Sequence, residues 1–314
     1  TQGIAFYHQS TLDLLQGLSC SVGLRYDYEH ARCDFSKVQQ PLNGNGETKS
    51  LEQFNRSLHF GQFTPRFSMQ YLSSHNQLFY ASVSKGYKAG GFNVSFLNND
   101  DYLYSPEYNW NYEIGTKLSF LNNRLSADLS LFYIDWRNQQ ITNTIPTVGN
   151  VIRNAGRSRN KGIEASFQAR PTKSWMMYMN YGYTDARFVH YQKEERGILK
   201  DYEGNYLPMV PRHTFSLTTG YSFYDICSWI DRLTLNAGVS VTGPIYWYED
   251  NQAKQSPYAL VNLRISINKG CFTWEAWSKN LTNTDYLSYY FVTSKAYAQK
   301  GKPITLGTSV SISL

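Results

Sequence analysis

The chain has 314 residues, 41% hydrophobic and 16% aromatic with 26 tyrosines, and its formal net charge of +6 is spread along its length. No apolar run approaches the roughly 20 residues of a membrane-spanning helix, the four cysteines show neither CxxC nor metal-ligand spacing, and so diffuse a charge leaves no nucleic-acid footprint. The mean hydropathy of −0.48 marks a polar chain only on average, because a membrane barrel needs apolar residues at alternate positions alone.

Alternation is what the chain offers, and thirteen strands are expected, centred near residues 5, 24, 64, 81, 114, 130, 162, 180, 216, 237, 263, 276 and 308. The first two are joined by "STLDLLQG", and a long polar loop over 30–55 leads to the third, which "SSHN" joins to the fourth. There Phe79, Ala81 and Val83 alternate with Tyr80, Ser82 and Ser84, the period of a strand with one apolar face.

The fourth strand runs into "YASVSKGYKAGGFN", whose glycines invite comparison with a phosphate loop. Gly86, Gly90 and Gly91 lack the P-loop spacing, no Lys-Ser or Lys-Thr follows, and the Asn-rich, Pro-interrupted stretch beyond starts no helix. The segment reads instead as a strand leaving one environment for another, where glycine permits φ > 0 or a close approach.

After a loop over 87–107, Tyr108, Trp110, Tyr112, Ile114, Thr116, Leu118 and Phe120 alternate with polar residues, and "LNNR" turns into the sixth strand. A loop over 138–152 precedes the pair joined by "PTKS", with Ile163, Ala165 and Phe167 on the apolar side. A further loop over 187–208 precedes the pair joined by "YDICSWID", where Leu233, Leu235, Ala237, Val239 and Val241 oppose Thr234, Asn236, Gly238 and Ser240. Beyond a loop over 245–257, Val261, Leu263 and Ile265 oppose Asn262 and Arg264, and "NKG" turns into the twelfth strand. The last loop spans 284–302, and Leu306, Thr308, Val310, Ile312 and Leu314 close the pattern.

Two architectures suit so many two-faced strands. A soluble sandwich uses strands of about 5–6 residues, whereas these segments run about ten, the length of a tilted membrane-crossing strand. Many carry aromatics towards their ends, among them Tyr26, Tyr28, Tyr71, Tyr183, Tyr221 and Phe223, and short turns alternate with long loops throughout. A transmembrane antiparallel β-barrel meets all three features.

The motifs "FTPRFSMQY…LFYASVSKGYKAGGFN", "YEIGTKLSFLNNRLSADLSLFYIDWRNQQI", "NAGRSRNKGIEASFQARP", "DARF", "VPRHT" and "WSKNLTNTDY" follow in order between residues 63 and 286. The set resembles the C-terminal part of the barrel of TonB-dependent outer-membrane receptors. That resemblance implies a barrel of twenty-two strands with a plugged lumen, bacterial outer-membrane localisation, and uptake of a ferric siderophore driven through TonB. It further implies that residues 1–314 are a single incomplete domain, about thirteen C-terminal strands. The plug, its TonB-contacting segment and the earlier barrel strands would then be partners, with outer-membrane lipid around them. Neither cofactor nor metal site is expected.

On this reading the iron chelate meets aromatic residues of the long loops: Tyr87, Phe92, Phe96, Tyr102 and Tyr104 in one, Tyr246, Trp247 and Tyr248 in another, Tyr289, Tyr290 and Phe291 in a third. Lys85, Lys88, Lys295 and Lys300 would draw an anionic complex in. Arg157, Arg159, Glu164 and Arg264 are expected to face the lumen or plug. Uptake of haem or cobalamin is the alternative, although "YKAGGFN" stands where haem receptors carry an aromatic-Arg-Ala-Pro motif, and no histidine lies between His75 and His190. A passive porin-like channel is a further alternative. An enzyme is not expected, since His213, the candidate base beside Ser216 or Asp185, shares the apolar phase of Phe215 and Leu217.

Overall fold

Residues 1–39, 49–96, 98–145, 148–154, 156–195, 198–292 and 295–313 are described in the computed structural model of the chain. Thirteen strands pair in strict chain order as one antiparallel sheet. They are β1 (Gln2–Leu15), β2 (Leu18–Gln39), β3 (Lys49–Leu72), β4 (Leu78–Lys88), β5 (Glu107–Phe120), β6 (Leu125–Arg137) and β7 (Arg157–Thr172), followed by β8 (Trp175–His190), β9 (His213–Cys227), β10 (Ile230–Thr242), β11 (Tyr258–Lys269), β12 (Phe272–Lys279) and β13 (Thr305–Ile312). All thirteen expected strands are present; residue 314, the last of the final alternating set, lies outside the described residues.

Register carries one apolar face across the sheet, because directly opposed residues of an antiparallel pair share a face. Leu217 stands opposite Val239, and Val239 opposite Val261; Tyr221, Leu235 and Ile265 form a parallel row. The other face presents Gly220, Asn236 and Arg264 in the matching row. Large side chains on the apolar face are open to the surroundings, Ile114 at 58% and Val310 at 68%. Among the described residues the only clustered hydrophobic core is small and sits at the long-loop end of β8, formed by Ala186 and Phe188 of that strand with Tyr191, Tyr202 and Leu207 from the loop beyond it. Such an outward apolar face suits lipid as solvent.

Turn chemistry separates the two ends of the sheet. At the short-turn end Leu121, Asn122 and Asn123 take φ between 54° and 64°, and Gly17 and Gly270 take 78° and 52°, the left-handed region that Asn and Gly enter most easily. The β1–β2 turn is tighter than "STLDLLQG" suggests, since β1 continues to Leu15.

At the other end the expected loops are largely built. Residues 30–39 and 49–55 are not loop but the extended arms of β2 and β3, with Phe35 opposite Phe54. Alternation persists there, but Ala31, Cys33 and Phe35 lie out of phase with the apolar set of Val22, Leu24, Tyr26 and Tyr28, which a single-face criterion overlooks. The remaining long loops each contain a two-stranded ribbon: Gly91–Phe92 with Leu103–Tyr104, Gln140–Ile145 with Gly149–Asn154, Gln192–Glu195 with Ile198–Asp201, Ile245–Tyr246 with Lys254–Gln255, and Leu287–Val292 with Ala296–Lys300. Pairing satisfies backbone groups that a bare loop would leave to water.

Candidate functional site: an aromatic cavity among the long loops

Five of the aromatic residues expected to meet a ligand come together. Trp247, Tyr248, Tyr289, Tyr290 and Phe291, from two separate ribbons, line a cavity of about 620 Å³. Trp247 meets Tyr289 edge-on and tilts against Tyr290, and Tyr248 meets Tyr290 edge-on, with centroids 6.2–6.4 Å apart. These are the offset geometries that aromatic quadrupoles favour. The Val292 amide donates to Tyr248 Oη at 2.6 Å. Burial pushes the Tyr248 phenol above its ordinary pKa, so it keeps its proton at neutral pH.

The rest of the lining escapes a search for aromatics. Ile141, Thr142, Asn143 and Asn150 come from the 140–154 ribbon, Lys193, Pro208 and Met209 from the loop beyond β8. Asn143 is 5% exposed and Trp247 likewise, yet neither the Asn143 side-chain amide nor Trp247 Nε1 has a hydrogen-bond partner. An unpaired buried polar group costs about 1–3 kcal/mol, and a small shift of this wall would offer both to a polar occupant. Lys193 Nζ and Glu249 Oε1, at 3.9 Å, stand at the same wall.

The other expected residues are placed elsewhere. Phe96 and Tyr102 join Phe35 and Phe54 in a second aromatic cluster, with centroid separations of 4.3–6.3 Å. Tyr102 is only 5% exposed there, with the Arg56 guanidinium 5.4 Å from its ring. Arg153 fixes the loop by donating twice to Asp101, at 2.7 and 2.8 Å. Phe92 and Tyr104 lie in their ribbon. Gly90 and Gly91 are needed there for close approach and not for φ > 0, because a Cβ on either would run into Tyr104.

Tyr87 stands opposite Tyr108, and Lys88 Nζ is 3.7 Å from Glu107. Tyr246 stacks on Tyr206 at 5.5 Å, with Arg187 and Arg212 over the Tyr206 ring at 3.9 and 4.8 Å. Lys300 Nζ is 3.2 Å from Asp285, both side chains well exposed, and Lys85 lies over Tyr108.

One expectation is corrected. Arg157 and Arg159 were placed with Glu164 on the lumen side, but residues 157–169 of β7 pair with β6 without a bulge. Arg157 and Arg159 are therefore in phase with Ile163 on the apolar side, and Glu164 is on the opposite face. Arg264 is on the polar face, opposite Asn236 and Trp277, with its guanidinium 4.0 Å from Glu275.

Comparison with known proteins follows the same lines. Residues 1–283 match the family model "TonB dependent receptor-like, beta-barrel". The chain is 24% identical to the pesticin receptor of Yersinia pestis over 98% of its length and 43% of that protein. With a probable TonB-dependent siderophore receptor, PiuA, of Acinetobacter baumannii it shares 26% identity over 71% of its length and 30% of the relative. The crystal structure of the ferric yersiniabactin uptake receptor FyuA from Yersinia pestis superposes with a TM-score of 0.82 at 21% identity, covering 99% of this chain and 45% of that one. At that identity the likeness concerns the fold. The chain thus spans less than half the length of these relatives.

Proposed function

Since the chain belongs to the TonB-dependent receptor-like β-barrel family of the bacterial outer membrane, we propose that it forms the ligand-facing wall of a receptor that takes up a ferric siderophore or similar iron chelate. The cavity walled by Trp247, Tyr248, Tyr289 and Tyr290 carries this reading. Aromatic faces suit the partly apolar outer shell of such a chelate. Asn143 and the Trp247 N–H would supply polar contacts at that wall. Relatives named for siderophores support the same class. Binding itself needs no energy input; transport would draw on TonB acting through a plug domain in the lumen. Haem is less well served, because no histidine is among the residues lining the cavity.

The test is binding by the whole receptor in detergent, read by quenching of tryptophan fluorescence. Ferric catecholate, phenolate and hydroxamate chelates are titrated beside haem and cobalamin. We expect one ferric class to saturate the signal, and Trp247→Ala with Tyr290→Ala to weaken it at least about tenfold, the loss of a packed aromatic anchor. Saturation by haem or cobalamin alone, or affinity unchanged in the double variant, would overturn the proposal.

A further inference from the structure

A second cavity lies at the opposite end of the sheet from the aromatic one, against the short-turn ends of β6 to β10. It measures about 670 Å³, within the range of small-molecule sites. Four of its lining residues are cations: Arg124 just before β6, Arg170 near the end of β7, Lys173 in the turn to β8 and Arg232 near the start of β10. Among the described residues that line it there is no carboxylate.

Local structure brings these cations to one face. The left-handed turn at Asn122 and Asn123 delivers Arg124 to the β6–β7 ladder, where the Arg170 amide donates to the Arg124 carbonyl at 2.7 Å. Opposed residues of an antiparallel pair share a face, and Arg170 continues the polar phase of Glu164, Ser166 and Gln168. On the other side of the cavity Arg232 stands opposite Tyr224 and Asn268, two rows from the polar row of Gly220, Asn236 and Arg264. The four charges thus stand on the concave, lumen-side wall, at the end whose short turns mark the periplasmic mouth of such barrels.

Their charge is uncompensated. Arg264 and Arg25, on the same face, have Glu275 and Asp27 beside them. Among the described residues Arg124, Arg170, Lys173 and Arg232 have no ion pair, and Arg232 Nε donates to the neutral Asn268 Oδ1 at 3.1 Å. A concave wall of one sign focuses its field and concentrates ions of the other sign.

The uptake role proposed above gives such an ion a route, in among the long loops and out at the short turns. Resting on that reading, we infer that Arg124, Arg170, Lys173 and Arg232 form an exit site, which holds an anionic iron chelate by its catecholate or carboxylate oxygens as it leaves the lumen. Guanidinium forks suit paired anionic oxygens. All four side chains are exposed, so salt screens the hold. The exit site is therefore weaker than the packed aromatic cavity, and the chelate is released to the periplasmic side.

The experiment uses the whole receptor in detergent, with both ends of the lumen open to solvent. Equilibrium dialysis against radiolabelled iron counts bound chelate, with an anionic ferric catecholate and a neutral ferric hydroxamate as probes. In W247A/Y290A, whose outer cavity is disabled, the catecholate should still fill a weaker site. Adding R124Q/R170Q/K173Q should weaken that site at least about tenfold, through lost charge-assisted hydrogen bonds. Raising salt from about 0.05 to 0.5 M should weaken it without any substitution, and a heat-modifiable gel shift checks assembly of each variant. No residual site in W247A/Y290A would overturn the inference and leave the outer cavity standing. A tight site unmoved by W247A/Y290A would sink the outer assignment alone, and R124Q/R170Q/K173Q would still decide the inner one. A residual site indifferent to those three substitutions, or filled equally by the hydroxamate, would also overturn it. So would variants that expose the plug to protease while binding chelate normally, since the cations would then serve the plug.

Discussion

Asp101 and Arg153 show how a single contact sets the order of a whole loop. Asp101 is 6% exposed and accepts two hydrogen bonds from the guanidinium, so Arg153→Met would take the cation away from a buried carboxylate. Removing one partner of a fully buried pair costs about 3–5 kcal/mol. Arg153 is 32% exposed, so a cost of roughly 2–3 kcal/mol is expected. Hydrogen exchange should report it as faster exchange confined to 91–104 and 149–154, with the sheet unaffected; an unchanged loop would mean that Asn93, which bonds Asp101 and Ile152, holds it alone. At this scale the sequence is half legible. Clustered aromatics announce Trp247, Tyr248, Tyr289 and Tyr290, but Asn143 and Lys193 reach the same cavity from loops far away in the chain, and only strand order makes those loops neighbours. The misplacement of Arg157 and Arg159 had a simpler origin: counting by twos back from Ile163 already puts both on its side.

Elements were the most legible part, because a period of two is written into every strand whichever solvent each face meets. The row Leu217, Val239 and Val261 lies mid-strand on the apolar face, and its neighbour Ser240 lies on the polar face opposite Leu260 and Ser216. Val239→Arg should cost about 2–4 kcal/mol and Ser240→Arg, on the polar face, clearly less, read by urea unfolding of the receptor in lipid vesicles. Equal costs would mean that β10 presents neither face to lipid. The hairpin arms of β2 and β3 escaped detection because the apolar set changes phase there: Val22, Leu24, Tyr26 and Tyr28 are continued by His30, Arg32, Asp34 and Ser36, while Ala31, Cys33 and Phe35 fall on the other side. Beyond the membrane level, pairing no longer depends on hydrophobicity.

For the whole molecule the sheet order is linear, and among the described residues β1 and β13 each have one edge without a partner. In an alternating antiparallel series of thirteen the first and last strands run the same way, so they could meet only as a parallel pair. Edges cannot stay open in hydrocarbon, where each unsatisfied backbone group costs several kcal/mol. We therefore expect closure through additional strands, odd in number, since bacterial single-chain barrels are even. Cysteines introduced at Ala5 and Thr308 should form no disulfide with each other in the receptor under oxidation. Efficient cross-linking between them would mean that β1 and β13 close on each other. Sequence pattern reveals the strands and their order; what lies against the two edges is decided by partners that a local pattern does not describe.

The bulge-free register of β5 to β7 behaves like a reading frame of two. Deleting one residue from mid-β7 would exchange its faces, turning Ile163 towards water and Glu164 towards lipid. Deleting two would keep the frame but slide Lys161 and Arg159 about 7 Å along the strand, moving charge into hydrocarbon. Neither change is silent, so length is free to vary only where no frame is being kept, in the ribbons and loops beyond the sheet. The part of the chain proposed to meet the ligand is therefore also the part that can be rewritten in length without disturbing the wall that holds it.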